Sequence, residues 1–115
     1  YGECLNELGR TGDAYAPIQR VRNRANLPDL NTTKPGMNQA QMRDQIAHER
    51  ALELCFEAQR YVDILRWDWH YDPVKLAMLK EHDSEFENWT PGREYMAIPP
   101  TEVDVNINLT QNEGW

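Results

Sequence analysis

The stretch Ile46–Trp67, IAHERALELCFEAQRYVDILRW, decides the fold. Its apolar residues Ala47, Ala51, Leu54, Cys55, Ala58, Val62 and Leu65 recur at three- and four-residue steps, one stripe of about 100° on a helix. Leu52 and Phe56 lie off that stripe, which predicts a helix buried on more than one side. Acidic Glu49, Glu53, Glu57 and Asp63 are answered by Arg50, Arg60 and Arg66, with Arg43 and Asp44 just upstream. Glu49, Glu53 and Glu57 stack at four-residue steps on one face, where like charges repel by roughly a few tenths of a kcal/mol per pair. Cations must therefore lie near. Arg50 and Arg60 reach Glu53 and Glu57 at three-residue offsets, and Arg20, Arg22 and Arg24 are further partners.

Three chemistries compete for this charged stripe. A glycoside hydrolase needs two carboxylates roughly 5–10 Å apart across an open cleft. Abundant arginine would keep these carboxylates ionised and remove the general acid. A di-metal centre needs Glu-x-x-His pairs, and no histidine stands three residues after a glutamate. The third reading is architectural. Glu49, Arg50, Glu53, Glu57, Arg60, Asp63 and Arg66 form a mostly buried ion network that fixes helix packing, with no catalytic residue and no metal.

Working outward, residues 1–28 read as a tetratricopeptide-like helical hairpin. Cys4, Leu5 and Leu8 end one helix and Gly9 offers its C-terminal cap. Asp13 can cap the next, with Tyr15, Ile18, Val21 and Ala25 on its apolar face and Pro17 close to the first turn. Asn26 and Pro28 stop it, and Asp29–Met37 is a turn-rich loop. Residues 38–69 are the long helical stretch, opened by Asn38 and Gln41 as a capping box. In residues 70–115, Pro73 starts a short helix through Leu79, a loop comes next, and AIPPTEVDVNINLTQNEGW is an ordered, largely irregular tail. No sheet is expected, so the fold class is all-α.

The bulk composition narrows the function. A chain of 115 residues with 40% hydrophobic and 27% charged residues is globular and of small-domain size. A net charge of −7 gives nucleic acid no electrostatic footprint. No apolar run reaches the length of a membrane span or a signal-peptide core. The chain opens on Tyr1 inside a helical pattern, so it is expected to be one portion of a larger protein. The helix around Leu54 would then leave an apolar patch open. Cys4 and Cys55 are expected to be buried free thiols without a disulfide, since a lone cysteine packs like a small hydrophobe. His48, His70 and His82 lack metal spacing, and no cofactor motif occurs. Trp69, Tyr71 and Trp89 sit in the least regular part, so they are the candidate flat faces for a sugar ring.

Laid out in order, these segments resemble the C-terminal part of SusD/RagB-like proteins. ECLNELGRTGDAYAPIQRVRNRANLP resembles that family's last tetratricopeptide-like hairpin. ERALELCFEAQRYVDILRW is similar to its Glu-Arg-x-x-Glu-Leu-x-Phe-Glu-Gly-x-Arg-x-x-Asp-x-x-Arg-Trp signature, with Ala58 where the family usually has glycine. That departure suggests a straighter helix joint. The tail is similar to its Ile-Pro-x-x-Glu-x-x-x-Asn-x-x-Leu-x-Gln-Asn-x-Gly-aromatic segment, with Glu113 where proline is common. The resemblance implies a surface-exposed outer-membrane lipoprotein of Bacteroidetes-type bacteria. Such a protein captures oligosaccharide or other nutrients for a TonB-dependent, SusC-like transporter and does not cleave them. It implies a membrane link only through an N-terminal lipid anchor outside this chain, and glycan contacts mainly elsewhere. A tetratricopeptide-type interaction module and, more remotely, a glycoside hydrolase domain are the alternatives.

Overall fold

A computed structural model describes residues 1–115 as helices and turns without a strand, an all-α protein. The chain divides into two compact units, Tyr1–Arg60 and Tyr61–Trp115.

In the first unit, helix α1 (Gly2–Glu7) ends at Leu8, with Gly9 at φ 76° after it. Helix α2 (Thr11–Arg24) starts three residues earlier than a cap at Asp13 would dictate, so Asp13 lies in its first turn and pairs with Arg10 at 2.7 Å. Pro17 consequently falls inside the helix, where its missing N–H leaves the Asp13 carbonyl without the usual i+4 donor. Asn26, at φ 53°, closes α2 as expected. The loop after it contains one unpredicted turn of helix, α3 (Leu30–Thr33), which Asp29 caps by accepting from the Thr32 N–H at 2.7 Å. Helix α4 (Gln39–Glu53) opens with the full capping box. The Asn38 side chain accepts from Gln41 N at 2.9 Å, and Gln41 Oε1 accepts from Asn38 N at 3.0 Å.

The core of this unit joins Leu5, Ala14, Ile18, Leu30, Met42 and Ile46, with Tyr15 and Met37 against it. Polar groups stitch the same elements together. Asn6, wholly buried, donates to the Gln39 carbonyl at 3.0 Å and accepts from Thr11 Oγ1 at 2.8 Å, while Gln39 Nε2 returns a bond to the Asn6 carbonyl at 2.7 Å. The Tyr15 hydroxyl accepts from Met37 N at 2.9 Å and donates to the Lys34 carbonyl at 2.7 Å, pinning the loop before α4.

The expected continuous helix across the signature is corrected here. Helix α4 stops at Glu53, residues 54–58 form a turn, and helix α5 spans Gln59–Arg66. Phe56 and Ala58 take φ 67° and 57°, in the left-handed region that L-residues enter only at a steric cost. The joint is therefore broken, not straightened, and glycine is the residue that would adopt the Ala58 conformation freely. The break also dissolves the expected stripe, because helical phase is lost in the turn. Cys55 and Ala58 are exposed, Val62 is half exposed, and Leu52 and Phe56 face solvent. Both cysteines are free, as expected, but exposed instead of buried. Cys55 lies in the turn, and Cys4 on the outer side of α1, whose buried residues are Leu5 and Asn6.

In the second unit, α5 buries Asp63 and Ile64. Helix α6 (Pro73–His82) begins where Pro73 predicts and is capped by Asp72, whose side chain accepts from Val74 N and Lys75 N. A 3-10 turn (Ser84–Asn88) then packs against α6, in what the sequence reads as loop. A short helix α7 (Pro100–Val105) interrupts the tail.

Candidate functional site

The charged stripe assembles differently from its sequence spacing. In the first unit, Arg22 of α2 pairs with Glu49 of α4, both side chains only 12% exposed. The same guanidinium donates to the Pro28 carbonyl through Nε at 3.3 Å and Nη2 at 3.1 Å. Gln45, itself buried, donates to Glu49 Oε1 at 2.7 Å and accepts from Lys34 Nζ at 2.6 Å. Arg24 pairs with Glu53. The arginines of the preceding helix thus supply the counter-charge for α4, one residue per helical turn. Glu57 does not join the stack, because α4 has ended and the side chain is exposed in the turn. Arg50 and Arg60 are half-buried. In the second unit, buried Asp63 accepts from Arg66 Nε at 2.8 Å. The exposed Arg43–Glu7 pair holds the Glu7 carboxyl below the usual carboxylate range through its hydrogen bond.

The three candidate aromatics divide into two groups. Trp69 is half-buried beside Trp67, ring centroids 5.2 Å apart, with Lys75 Nζ 4.9 Å from its ring and Arg66 4.4 Å from that of Trp67. Tyr71 and Trp89 meet instead around His70. Trp89 stands edge-on to His70 at 4.7 Å and to Tyr71 at 6.0 Å, and the His70 and Tyr71 rings are 4.4 Å apart. Tyr71 is 50% exposed, so this corner keeps one open aromatic face. His70 is buried at its centre. The Tyr71 hydroxyl donates to Glu94 Oε1 at 2.6 Å and accepts from Gly92 N at 3.4 Å. That bond to a carboxylate pushes the Tyr71 phenol up and draws the Glu94 carboxyl down. Sequence reasoning gives His70 no role and misses Glu94. Neither belongs to a periodic pattern, so only tertiary structure reveals them.

A clasp made by the tail holds the Glu94 segment. Gln111 works as a two-way bridge, its Oε1 accepting from Ile98 N and its Nε2 donating to the Ile98 carbonyl, both at 2.8 Å. Asn112 Nδ2 donates to the Met96 carbonyl at 2.6 Å, Trp115 Nε1 to the Tyr95 carbonyl at 2.7 Å, and Arg93 Nε to the Gly114 carbonyl at 3.0 Å. The Arg93 guanidinium lies 4.5 Å from the Trp115 ring. Gly92 and Gly114 cross at backbone contact. A Cβ on Gly92 would lie 2.5 Å from the Glu113 backbone, and one on Gly114 2.8 Å from the Pro91 carbonyl oxygen. The tail is thus ordered by side-chain amides that stand in for a strand ladder, which explains why hydropathy alone reads it as irregular.

The first unit also carries an open apolar trough of about 400 Å³ lined by Pro17, Ile18, Val21, Ile46 and Leu54 among others. No three His, Cys, Asp or Glu side chains gather as a metal site would require.

The sequence model of the SusD family matches residues 1–115. The chain is 33% identical over 118 residues to SusD-like protein P25 of Formosa agariphila, covering 97% of this chain and 21% of that protein. It is 32% identical over 120 residues to SusD-like protein P2 of the same organism, covering 96% of this chain and 22% of that protein. The chain spans about a fifth of the length of these curated relatives. No solved structure matches it. The whole of it, hairpin through terminal Trp115, belongs to the SusD family.

Proposed function

We propose that this chain is part of a nutrient-binding protein that captures oligosaccharide at the bacterial outer membrane and passes it to a SusC-like, TonB-dependent transporter. The family match across all 115 residues carries this reading. The arrangement of side chains supports binding without cleavage. Glu7, Glu49, Glu53 and Asp63 each have an arginine partner, an arrangement suited to packing and not to donating a proton to a leaving group. The half-exposed Tyr71 face, edged by Trp89, is the platform this chain offers to a sugar ring, where a flat apolar surface and a fixed hydroxyl suit a carbohydrate. Trp69, with Lys75 beside its ring, takes a lesser part. No helix here is long and apolar enough to cross a bilayer.

The test is uptake by cells. Deleting the gene should abolish surface retention of labelled oligosaccharide while hydrolysis by cell extracts continues unchanged. Loss of hydrolysis with retention intact would favour an enzyme. A tetratricopeptide-type interaction module rests on the α1–α2 hairpin and the apolar trough. It leaves the match over residues 61–115 without a role, and for that reason ranks second.

A further inference from the structure

The Tyr71 hydroxyl has two hydrogen-bond partners, and both come from one short segment: the N–H of Gly92 and the carboxylate of Glu94. That segment has little local structure of its own. Residues 91–95 form a turn held by Arg93 N on the Thr90 carbonyl at 3.1 Å and Tyr95 N on the Gly92 carbonyl at 3.2 Å. Five further hydrogen bonds link residues 93–98 to Gln111, Asn112, Gly114 and Trp115. The segment's position is therefore set by the tail. The Gly92–Gly114 crossing sits directly beside the donor to Tyr71.

We propose that the C-terminal clasp is the positioning device for the Tyr71–Trp89 face, with Gly114 and Gln111 acting through Gly92 and Glu94 as positioning residues. The chain of contacts is continuous. Gly114 lets the two backbones touch, which fixes Gly92. Gln111 fixes Ile98 at the other end of the segment. Glu94, held between them, meets the Tyr71 hydroxyl at 2.6 Å and anchors the outer end of the ring. A methyl group at residue 114 must push the Pro91–Gly92 backbone away, because no backbone atom can remain 2.8 Å from a Cβ. The Gly92 N–H, already 3.4 Å from the Tyr71 oxygen, then leaves hydrogen-bond range and draws Glu94 away with it. As a sugar-binding face, the corner rests on the function proposed above. Its positioning by the clasp does not.

The experiment reads Tyr71 directly, in the intact protein carrying carbon-labelled tyrosine, by tracking the phenol carbons through a pH titration. Tyr71→Phe assigns the signal. In the parent protein Tyr71 should titrate above the ordinary tyrosine range, because its bond to Glu94 raises it. Glu94→Gln should bring it back toward that range, and Gly114→Ala should do the same from the other end of the clasp, because the raising bond to Glu94 outweighs the lowering one from the Gly92 N–H when both are lost. Gly36→Ala introduces a methyl at another left-handed glycine with nothing within 4 Å, and should leave Tyr71 unchanged. If Gly114→Ala does not fold, Gln111→Met removes the two-way bridge without adding an atom at the crossing, and the same return is expected. A Tyr71 titration that stays where it is in the parent in Gly114→Ala or Gln111→Met, while Glu94→Gln lowers it, overturns the proposal. Oligosaccharide binding by the same samples separates the two ideas. A parent protein that binds no sugar refutes the function, and the titration still decides the clasp.

Discussion

Ala58→Gly should stabilise the protein, although deleting a methyl group from a helical segment ordinarily weakens it. Ala58 holds φ 57° in the turn between α4 and α5, and its side chain is exposed, so no packing is lost when the methyl goes. The left-handed backbone costs an L-residue about 1–2 kcal/mol. Against that, glycine gives the unfolded chain extra freedom worth about 0.5–1 kcal/mol. The difference favours glycine by roughly 0.5–1 kcal/mol. Ala16→Gly provides the opposite case. Ala16 is exposed in the interior of α2 and keeps a negative φ, so the same deletion should cost about 0.5–1 kcal/mol. Urea unfolding monitored by circular dichroism measures both, and the two midpoints should move in opposite directions with the slope unchanged. Equal loss of stability in both variants would refute the broken joint and restore a continuous helix through Ala58.

Other perturbations test the rest of the framework. Glu49→Ala strands the Arg22 guanidinium in a largely buried site and should cost about 3 kcal/mol in the same assay, whereas Glu7→Ala opens the exposed Arg43 pair for less than about 1 kcal/mol. Equal costs would show that burial does not separate the two pairs. Asn38→Ala removes the side-chain half of the capping box and should cost about 1 kcal/mol; a shift near zero would mean that the first turn of α4 is held by tertiary contacts alone. The Glu7 carboxyl is lowered chiefly by its hydrogen bond from Arg43, so this pair contributes its stability above the ordinary carboxylate pKa, about 4.3, and loses it as pH falls through Glu7's own lower value. Carboxyl NMR of Arg43→Gln should show Glu7 returning upward toward the ordinary value, and an unmoved titration would contradict the pairing.

Local rules make much of the helical framework legible. Asn38 with Gln41, Asn26 after α2 and Pro73 at the start of α6 are signals whose physics acts within a few residues, and each works as written. The break at residues 54–58 is not readable from hydropathy, because an apolar residue in a left-handed turn looks the same as one in a helix. Glycine at position 58 would have signalled it. The partners of Glu49 and Glu53 can be narrowed to arginines but not chosen, since the choice depends on how α2 lies against α4. Tyr71 and Trp89 stand out by their irregular surroundings and do come together. Trp69, which stands out on the same grounds, packs with Trp67 and Lys75 instead. The clasp leaves one trace, the Gln111-Asn112-x-Gly114 spacing. Its meaning needs the Pro91–Ile98 segment to be placed opposite, a relation between residues 13 to 21 positions apart that no periodicity encodes.

The proposed function is capture of carbohydrate without cleavage. Its most direct test is to pass a panel of defined oligosaccharides over the intact protein and analyse both what is retained and what is released. Retention of one class of oligosaccharide is expected, recovered at its original length, with weaker retention when Tyr71 is changed to alanine. Shortened products, or a panel in which no oligosaccharide is held, would contradict it.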